Sequence, residues 1–313
     1  MRHPVRSLTR RIVLTLIAAN AAVGLGLVVV DRLWYARPAF PVPHLAAGRV
    51  WRPAADPVPG RHALVLSGGI RPGRNHARYW NNVSLVYCAL RERGWGDVEV
   101  LMADGRSPAP DQLTRSVLGM YGRDAPVDGA RDLDGDGTED VTGPATRDAL
   151  RQVLERIGRR IHAGDDLFIF MTDHGQLRRS GLTVSAVVLL WGEELAGAEF
   201  DRIVRGAVPA GARVTILATQ CHSARFLGEV GRPGTVLMAS GYPLWIYSDQ
   251  YYSVFPYLFC EALLGREPVT GQRRGEPATG LAEAFRRARA ADHAPEWPQM
   301  WTTPETVARP AGR

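Results

Sequence analysis

The sequence predicts an α/β domain with a mainly parallel central sheet, preceded by one N-terminal transmembrane helix. From residue 61 onward short apolar runs alternate with stretches of helical periodicity, the pattern of strands joined by crossover helices. Ahead of that alternation, residues 12 to 30 form nineteen positions without a charge. With 313 residues, 45% of them apolar and 22% charged, the chain has enough apolar material for a sizeable core and is not disordered as a whole.

The uncharged run, IVLTLIAANAAVGLGLVVV, follows Arg2, Arg6, Arg10 and Arg11 and is closed by Asp31 and Arg32. At about 1.5 Å per residue it spans a hydrocarbon core of about 30 Å. The preceding arginines place the N-terminus in the cytoplasm and the rest of the chain outside. Residues 1–31 therefore read as a cytoplasmic basic stub and signal anchor of a single-pass membrane protein. The alternative is secretion after cleavage near Ala19 to Ala22, although a cleaved signal carries a shorter apolar stretch. Residues 32–60 contain Pro38, Pro41, Pro43, Pro53, Pro57 and Pro59, so they read as a semi-rigid linker.

The domain proper reads from 61 to 305, with 306–313 as a tail. Strands are expected at His62 to Leu66, Val98 to Met102, Leu167 to Met171, Val214 to Ala218 and Val236 to Ala239. Helices are expected over 78–93, 146–162, 193–206, 253–264 and 279–291, the second with Leu150, Val153, Leu154, Ile157 and Ile161 on one face. Residues 181–191 read as an added strand or hairpin. All 38 basic residues are Arg, dispersed among 32 acids, so the net charge of +6 forms no nucleic-acid stripe. No Gly-rich nucleotide motif follows any strand. Three cysteines make no disulfide framework, and Cys88 and Cys260 read as buried thiols.

In open α/β sheets ligands collect beyond the carboxyl ends of the strands. Two ends are chemically loaded: LFIFM runs into Thr172, Asp173, His174 and Gly175, and VTILA runs into Thr219, Gln220, Cys221, His222 and Ser223. On neighbouring strands, His174 and Cys221 form a dyad in which a thiolate attacks a carbonyl and the imidazole protonates the leaving amine. The N–H groups of Gly175 and Cys221 are expected to hold the oxyanion. This chemistry requires no cofactor.

A second signal is DLDGDGTED at 132–140. Asp132, Asp134, Asp136 and Asp140 with Gly137 reproduce the first part of an EF-hand-type calcium loop, whereas the position of the closing bidentate Glu is Gly143. Structural Ca2+ ordering the 103–145 insertion is one reading; a solvated acidic turn is the other. The aromatic run from Tyr242 to Tyr257 fits a peptide-groove rim or core packing equally, and Trp297 and Trp301 are expected to cap the domain.

The segment FIFMTDHG resembles the TDHG segment of legumain-type asparaginyl endopeptidases, and Cys221-His-Ser resembles the corresponding run of metacaspases. Residues 78–87 (RYWNNVSLVY) are similar to the first helix of legumain and of the catalytic subunit of GPI transamidase, and Glu139-Asp-Val-Thr142 is similar to the family's GEDVT. The end segment EAFRRARAAD…EWPQ from Glu283 onward is similar to bacterial members. The resemblance covers about residues 62 to 300 and implies a caspase-like three-layer αβα sandwich. It implies a cysteine endopeptidase cleaving peptides or proteins after Asn or Asp, with Cys221 as nucleophile and His174 as general acid and base. Arg78, Ser240 and Asp249 then fall in the substrate pocket, and Asn75 or His76 orients His174. Thr219 departs from the acidic residue the family usually carries two positions before the nucleophile. The alternatives are a transpeptidase using the same dyad and a non-catalytic, calcium-ordered binding module of the same fold.

Overall fold

The computed structural model describes Trp51 and residues 53–114, 125–241, 246–248 and 251–304. The expected anchor at 12–30, most of the linker before residue 51, the tail from 306 and Asp249 lie outside the described residues. Among the described residues no helix is long and apolar enough to cross a membrane.

The α/β class and the mainly parallel sheet hold. Six strands form the sheet: β1 (Arg61–Ser67), β2 (Asp97–Met102), β5 (Asp166–Met171), β9 (Arg213–Ala218), β10 (Val236–Ala239) and β11 (Gln299–Thr302), in spatial order β11-β10-β9-β5-β1-β2. Only β11, against β10, is antiparallel. Both faces are covered, so the central strand β5 reads as a continuous apolar run: Leu167 to Met171 is buried without a break. Successive side chains then point to opposite layers. Phe168 meets Trp95 and Phe259 on one side, while Leu167, Ile169 and Met171 join the cluster built on Leu150, Leu154, Ile157, Phe200 and Val204 on the other.

Six helices accompany the described strands: α1 (Ala77–Glu92), α2 (Arg147–Gly158), α3 (Gly197–Ala207), α4 (Ser223–Leu227), α5 (Val254–Leu264) and α6 (Leu281–Ala291). α1, α5 and α6 pack together, and α2 packs on α3. The helix α2 shows why the periodicity was readable. Thr146 caps it by accepting the Ala149 N–H at 3.2 Å, Asp148 and Arg156 match the dipole at its two ends, and Leu150, Val153, Leu154 and Ile157 form the buried stripe.

Two small sheets accompany the central one, and the added strand expected within 181–191 belongs to the second. β3 (Gln112–Thr114) pairs with β4 (Ala125–Val127), and β6 (Gly175–Ser180), β7 (Thr183–Leu189) and β8 (Glu194–Ala196) form an antiparallel sheet. Residues 194–196 are thus a strand, and the helix expected from 193 begins at Gly197. Of the two expected caps, Trp301 lies on β11 against the core, whereas Trp297 is 64% exposed. Trp51 is buried, and its N–H donates to the Asp134 carbonyl at 3.3 Å, so the chain before β1 already packs on the domain. Cys88 and Cys260 are buried free thiols, as expected.

Candidate active site

The parallel ladder brings the two loaded strand ends together. Met171 on β5 faces Ala218 on β9, and the Thr219 N–H continues the ladder by donating to the Met171 carbonyl at 2.8 Å. His174 and Cys221 each lie three residues beyond that last pair. The departure at Thr219 has a structural use: its buried hydroxyl donates to the same Met171 carbonyl at 3.0 Å, pinning the strand that carries the thiol. Gly175 then lies directly against the Cys221 residue. A Cβ there would overlap the Cys221 carbonyl oxygen and stand 2.8 Å from Gln220 Cγ, so this approach requires glycine. His222, next after the thiol, has φ 60°, a left-handed turn for a non-glycine residue that bends the chain sharply into α4.

The imidazole of His174 is oriented by the backbone. Its Nε2 stands 3.0 Å from the Arg74 carbonyl, an acceptor only, so the neutral ring carries its proton on Nε2 and leaves Nδ1 as the basic nitrogen. The ring is wedged edge-on against Tyr79 and His76, with centroids at 5.2 and 5.6 Å. Of the two residues expected to orient it, His76 makes this contact. Asn75 instead donates through Nδ2 to the Asp111 carbonyl at 3.0 Å. Burial depresses the imidazole to about 4, and burial raises the Cys221 thiol against the opposing effects of the Ile246 N–H and the Arg78 charge. The resting pair is therefore a neutral thiol and a neutral imidazole, and no hydrogen bond joins them.

Asp173, between the strand end and His174, is the residue that sequence reasoning left without a role. Its buried carboxyl accepts from Ser67 Oγ at 3.3 Å and from the N–H groups of Gly69 and His174. It thereby ties the loop after β1, which carries the Arg74 carbonyl and leads to Arg78, to the end of β5. Burial raises this carboxyl to about 7 despite those donors. A carboxylate wedged between two loaded residues at a buried strand end was the available signal.

Several buried polar atoms at these strand ends and on α1 have no partner among the described residues. The Nε of Arg78, both amide atoms of Gln220 and the Ser240 hydroxyl are all buried and unpaired. Arg78 is held by its guanidinium 4.8 Å above the Tyr79 ring and by a 3.2 Å bond from Nη2 to the Tyr79 hydroxyl. Ser240 follows β10, and its N–H donates to the Ala218 carbonyl at 3.2 Å. Glu296, 3% exposed, accepts weakly from the Tyr247 N–H at 3.4 Å; burial and the neighbouring Asp292 raise it to about 9.

The acidic loop sits apart, on α1. Asp132, Asp134 and Asp136 bring one carboxylate oxygen each within 4.8 Å of one another. Asp140 does not join them: its oxygens accept from the Tyr87 hydroxyl at 2.6 Å and the Leu133 N–H at 2.7 Å. Asp132 also accepts from the Gly135 and Gly137 N–H groups, both glycines having positive φ. The three carboxylates are hard oxygen donors of the kind a calcium ion takes, three of the about six to eight oxygens it gathers.

No protein-family model and no curated protein matches the chain. The fold is similar to that in the crystal structure of protein GSU0716 from Geobacter sulfurreducens, with a TM-score of 0.53 and 12% identity. That likeness covers 80% of this chain and 96% of that one. At this identity it speaks to the fold alone.

Proposed function

We propose that this protein is a membrane-anchored cysteine endopeptidase of the caspase-like fold that cleaves after Asn or Asp. The observation that carries this reading is the placement of His174 and Cys221 at equal distance beyond two adjacent parallel strands, with Gly175 against the Cys221 backbone. The layered sheet supports the caspase-like assignment, and the resemblance at TDHG supports the residue roles.

In the reaction, His174 Nδ1 takes the thiol proton as Cys221 Sγ bonds to the scissile carbonyl carbon. The developing oxyanion is held by the Gly175 and Cys221 N–H groups. Collapse breaks the C–N bond, and the imidazolium gives its proton to the departing amine. Water, deprotonated by the same imidazole, then hydrolyses the thioester and returns the thiol. Because both groups rest neutral, the proton moves during attack and no ion pair is stored beforehand. Arg78 and Ser240 offer a planar donor and a hydroxyl to a side-chain oxygen, which suits a carboxamide or carboxylate and matches the buried Arg78 Nε and Ser240 hydroxyl, neither of which has a partner among the described residues. Asp249 is the third member of the pocket in this reading. Asp132, Asp134 and Asp136 would hold a calcium ion that orders the insertion, with no part in the chemistry. Residues 12–30 anchor the protein, leaving the catalytic domain outside the cytoplasm.

The full-length chain and its Cys221→Ala variant, assayed on fluorogenic peptides ending in Asn, Asp or Arg with and without calcium, test this. Cleavage after Asn or Asp that depends on Cys221, and that falls about 100-fold or more in Arg78→Ala, is the expected result. Cleavage after Arg overturns the pocket assignment, and no cleavage by the folded protein overturns the peptidase.

A further inference from the structure

The strand that leaves the candidate active site carries an edge that no strand among the described residues pairs. β6 begins at Gly175, directly after His174, and among the described residues it pairs only with β7. The register shows which backbone groups point outward. The Leu189 N–H donates to the His174 carbonyl at 3.0 Å, so positions 174 and 189 form a hydrogen-bonded pair. Antiparallel ladders alternate, so Gln176, Arg178 and Ser180 face β7, whereas Gly175, Leu177 and Arg179 turn their N–H and C=O to the open edge. Two bonds on β7 confirm this phase. The Ala186 N–H, opposite Leu177, goes to Glu229, and the Val184 carbonyl, opposite Arg179, accepts from Arg225.

The side chains fit the same reading. Gln176 and Arg178 are held by Glu194 on one face, which stiffens the strand. On the other face Leu177 is 40% exposed, and Arg179 is exposed with no ion-pair partner among the described residues. An exposed edge carrying an apolar side chain is a template for another strand. Its first outward donor is the Gly175 N–H, the group assigned above to the oxyanion.

We propose that an extended peptide adds to the free edge of β6 as a further strand, with the scissile carbonyl on the Gly175 N–H as its first rung. This rests on the peptidase reading for the identity of that rung. The Leu177 and Arg179 backbones supply the following rungs, one every second residue, about 6.6 Å apart along the edge. Residues of the peptide opposite Leu177 and Arg179 share their face, so the site selects an apolar residue and, two positions further on, an acidic one. The ligand class is thus a peptide segment long enough to run alongside β6, not a single side chain beside the thiol.

The test uses the full-length Cys221→Ala chain, which binds without turnover, and a blocked peptide of alternating Thr and Val around one central Asn, with Val two and Asp four residues away on each side. Exchange of individual amides is followed by NMR. Peptide is expected to slow exchange at the Leu177 and Arg179 amides tenfold or more and to leave Gln176 and Arg178, already bonded to β7, unchanged. N-methylation of alternate peptide amides on one side of the Asn is expected to weaken binding about tenfold, with intervening positions tolerated. Leu177→Pro, which removes an outward N–H and no ladder bond, is expected to lose about as much, and Leu177→Ala little of it. Binding without protection at Leu177 and Arg179, no binding, or protection that appears without peptide as chain concentration rises overturns the proposal; the last assigns the edge to a second copy. Protection of β6 with no turnover by the unsubstituted chain leaves this inference standing and removes the peptidase. Cleavage without protection does the reverse.

Discussion

Replacing Gly175 by alanine perturbs the candidate site at the point where its two halves touch. The backbone at 175 is not in the left-handed region, so alanine meets no conformational penalty there and the effect is purely steric. The added Cβ would stand 3.0 Å from the Cys221 carbonyl carbon and 2.8 Å from Gln220 Cγ. Ordinary carbon contacts lie at about 3.5–4.0 Å, so β6 and the Cys221 turn must separate by about 0.5–1 Å, more where the carbonyl oxygen is overlapped. A displacement of that size between a nucleophile and its oxyanion donor costs about 100-fold in kcat/KM, or about 2.7 kcal/mol of transition-state stabilisation. Overpacking costs about 1–3 kcal/mol of stability, which lowers Tm by roughly 2–4 °C per kcal/mol in a domain of this size. The assay is cleavage of Asn- and Asp-ended peptides alongside thermal unfolding. Gly206→Ala serves as the control, because a Cβ on that α3 residue meets nothing within 4 Å. It should be neutral or stabilise by up to about 1 kcal/mol. A Gly175→Ala protein with near-normal kcat/KM would refute the placement of Gly175 against the working thiol.

Three further outcomes follow from the same geometry. With His174 depressed to about 4 and Cys221 raised, iodoacetamide should alkylate Cys221 at a rate that climbs into the alkaline range; an acidic plateau would instead signal a stored ion pair. Glu296 holds its proton up to about 9 in the folded chain against about 4.3 unfolded. The folded state therefore binds more protons in that window, and its contribution to stability falls as pH rises from about 4 through 9. Glu296→Gln should flatten the fall in Tm across this range, and an unchanged slope counts against a buried, protonated Glu296. Calcium at about 10 mM, with a Kd of about 10⁻⁴–10⁻³ M, should add about 1.4–2.7 kcal/mol, and Asp132→Ala should abolish the resulting rise in Tm. A rise that survives this substitution places the ion elsewhere.

The α/β class with its mainly parallel sheet, and the two strand ends that carry His174 and Cys221, were legible in the sequence. The central strands β5 and β9 are covered on both faces, so from Leu167 and Val214 on they read as apolar runs, broken in β9 only at the half-buried Thr215, and each gives way to a buried Thr at its end, as at Met171–Thr172 and Ala218–Thr219. Helix α2 was equally legible because its burial follows its own period. β6 was not, because its residues are exposed and its pairing with β7 comes from register, which leaves no apolar alternation to read. β3, β4 and β11 are short, and their partners are distant in sequence or set by the fold. His174 and Cys221 were found from their strand ends; what held them was not. The Arg74 carbonyl that orients the imidazole is a backbone group, present at every residue and distinctive only once the loop after β1 is folded over it. The neutral state of the dyad, the turning of Asn75 toward Asp111 and the withdrawal of Asp140 from the acidic cluster depend on burial and on competing hydrogen-bond partners. These are properties of surroundings drawn from the whole chain, and only the tertiary structure assembles them.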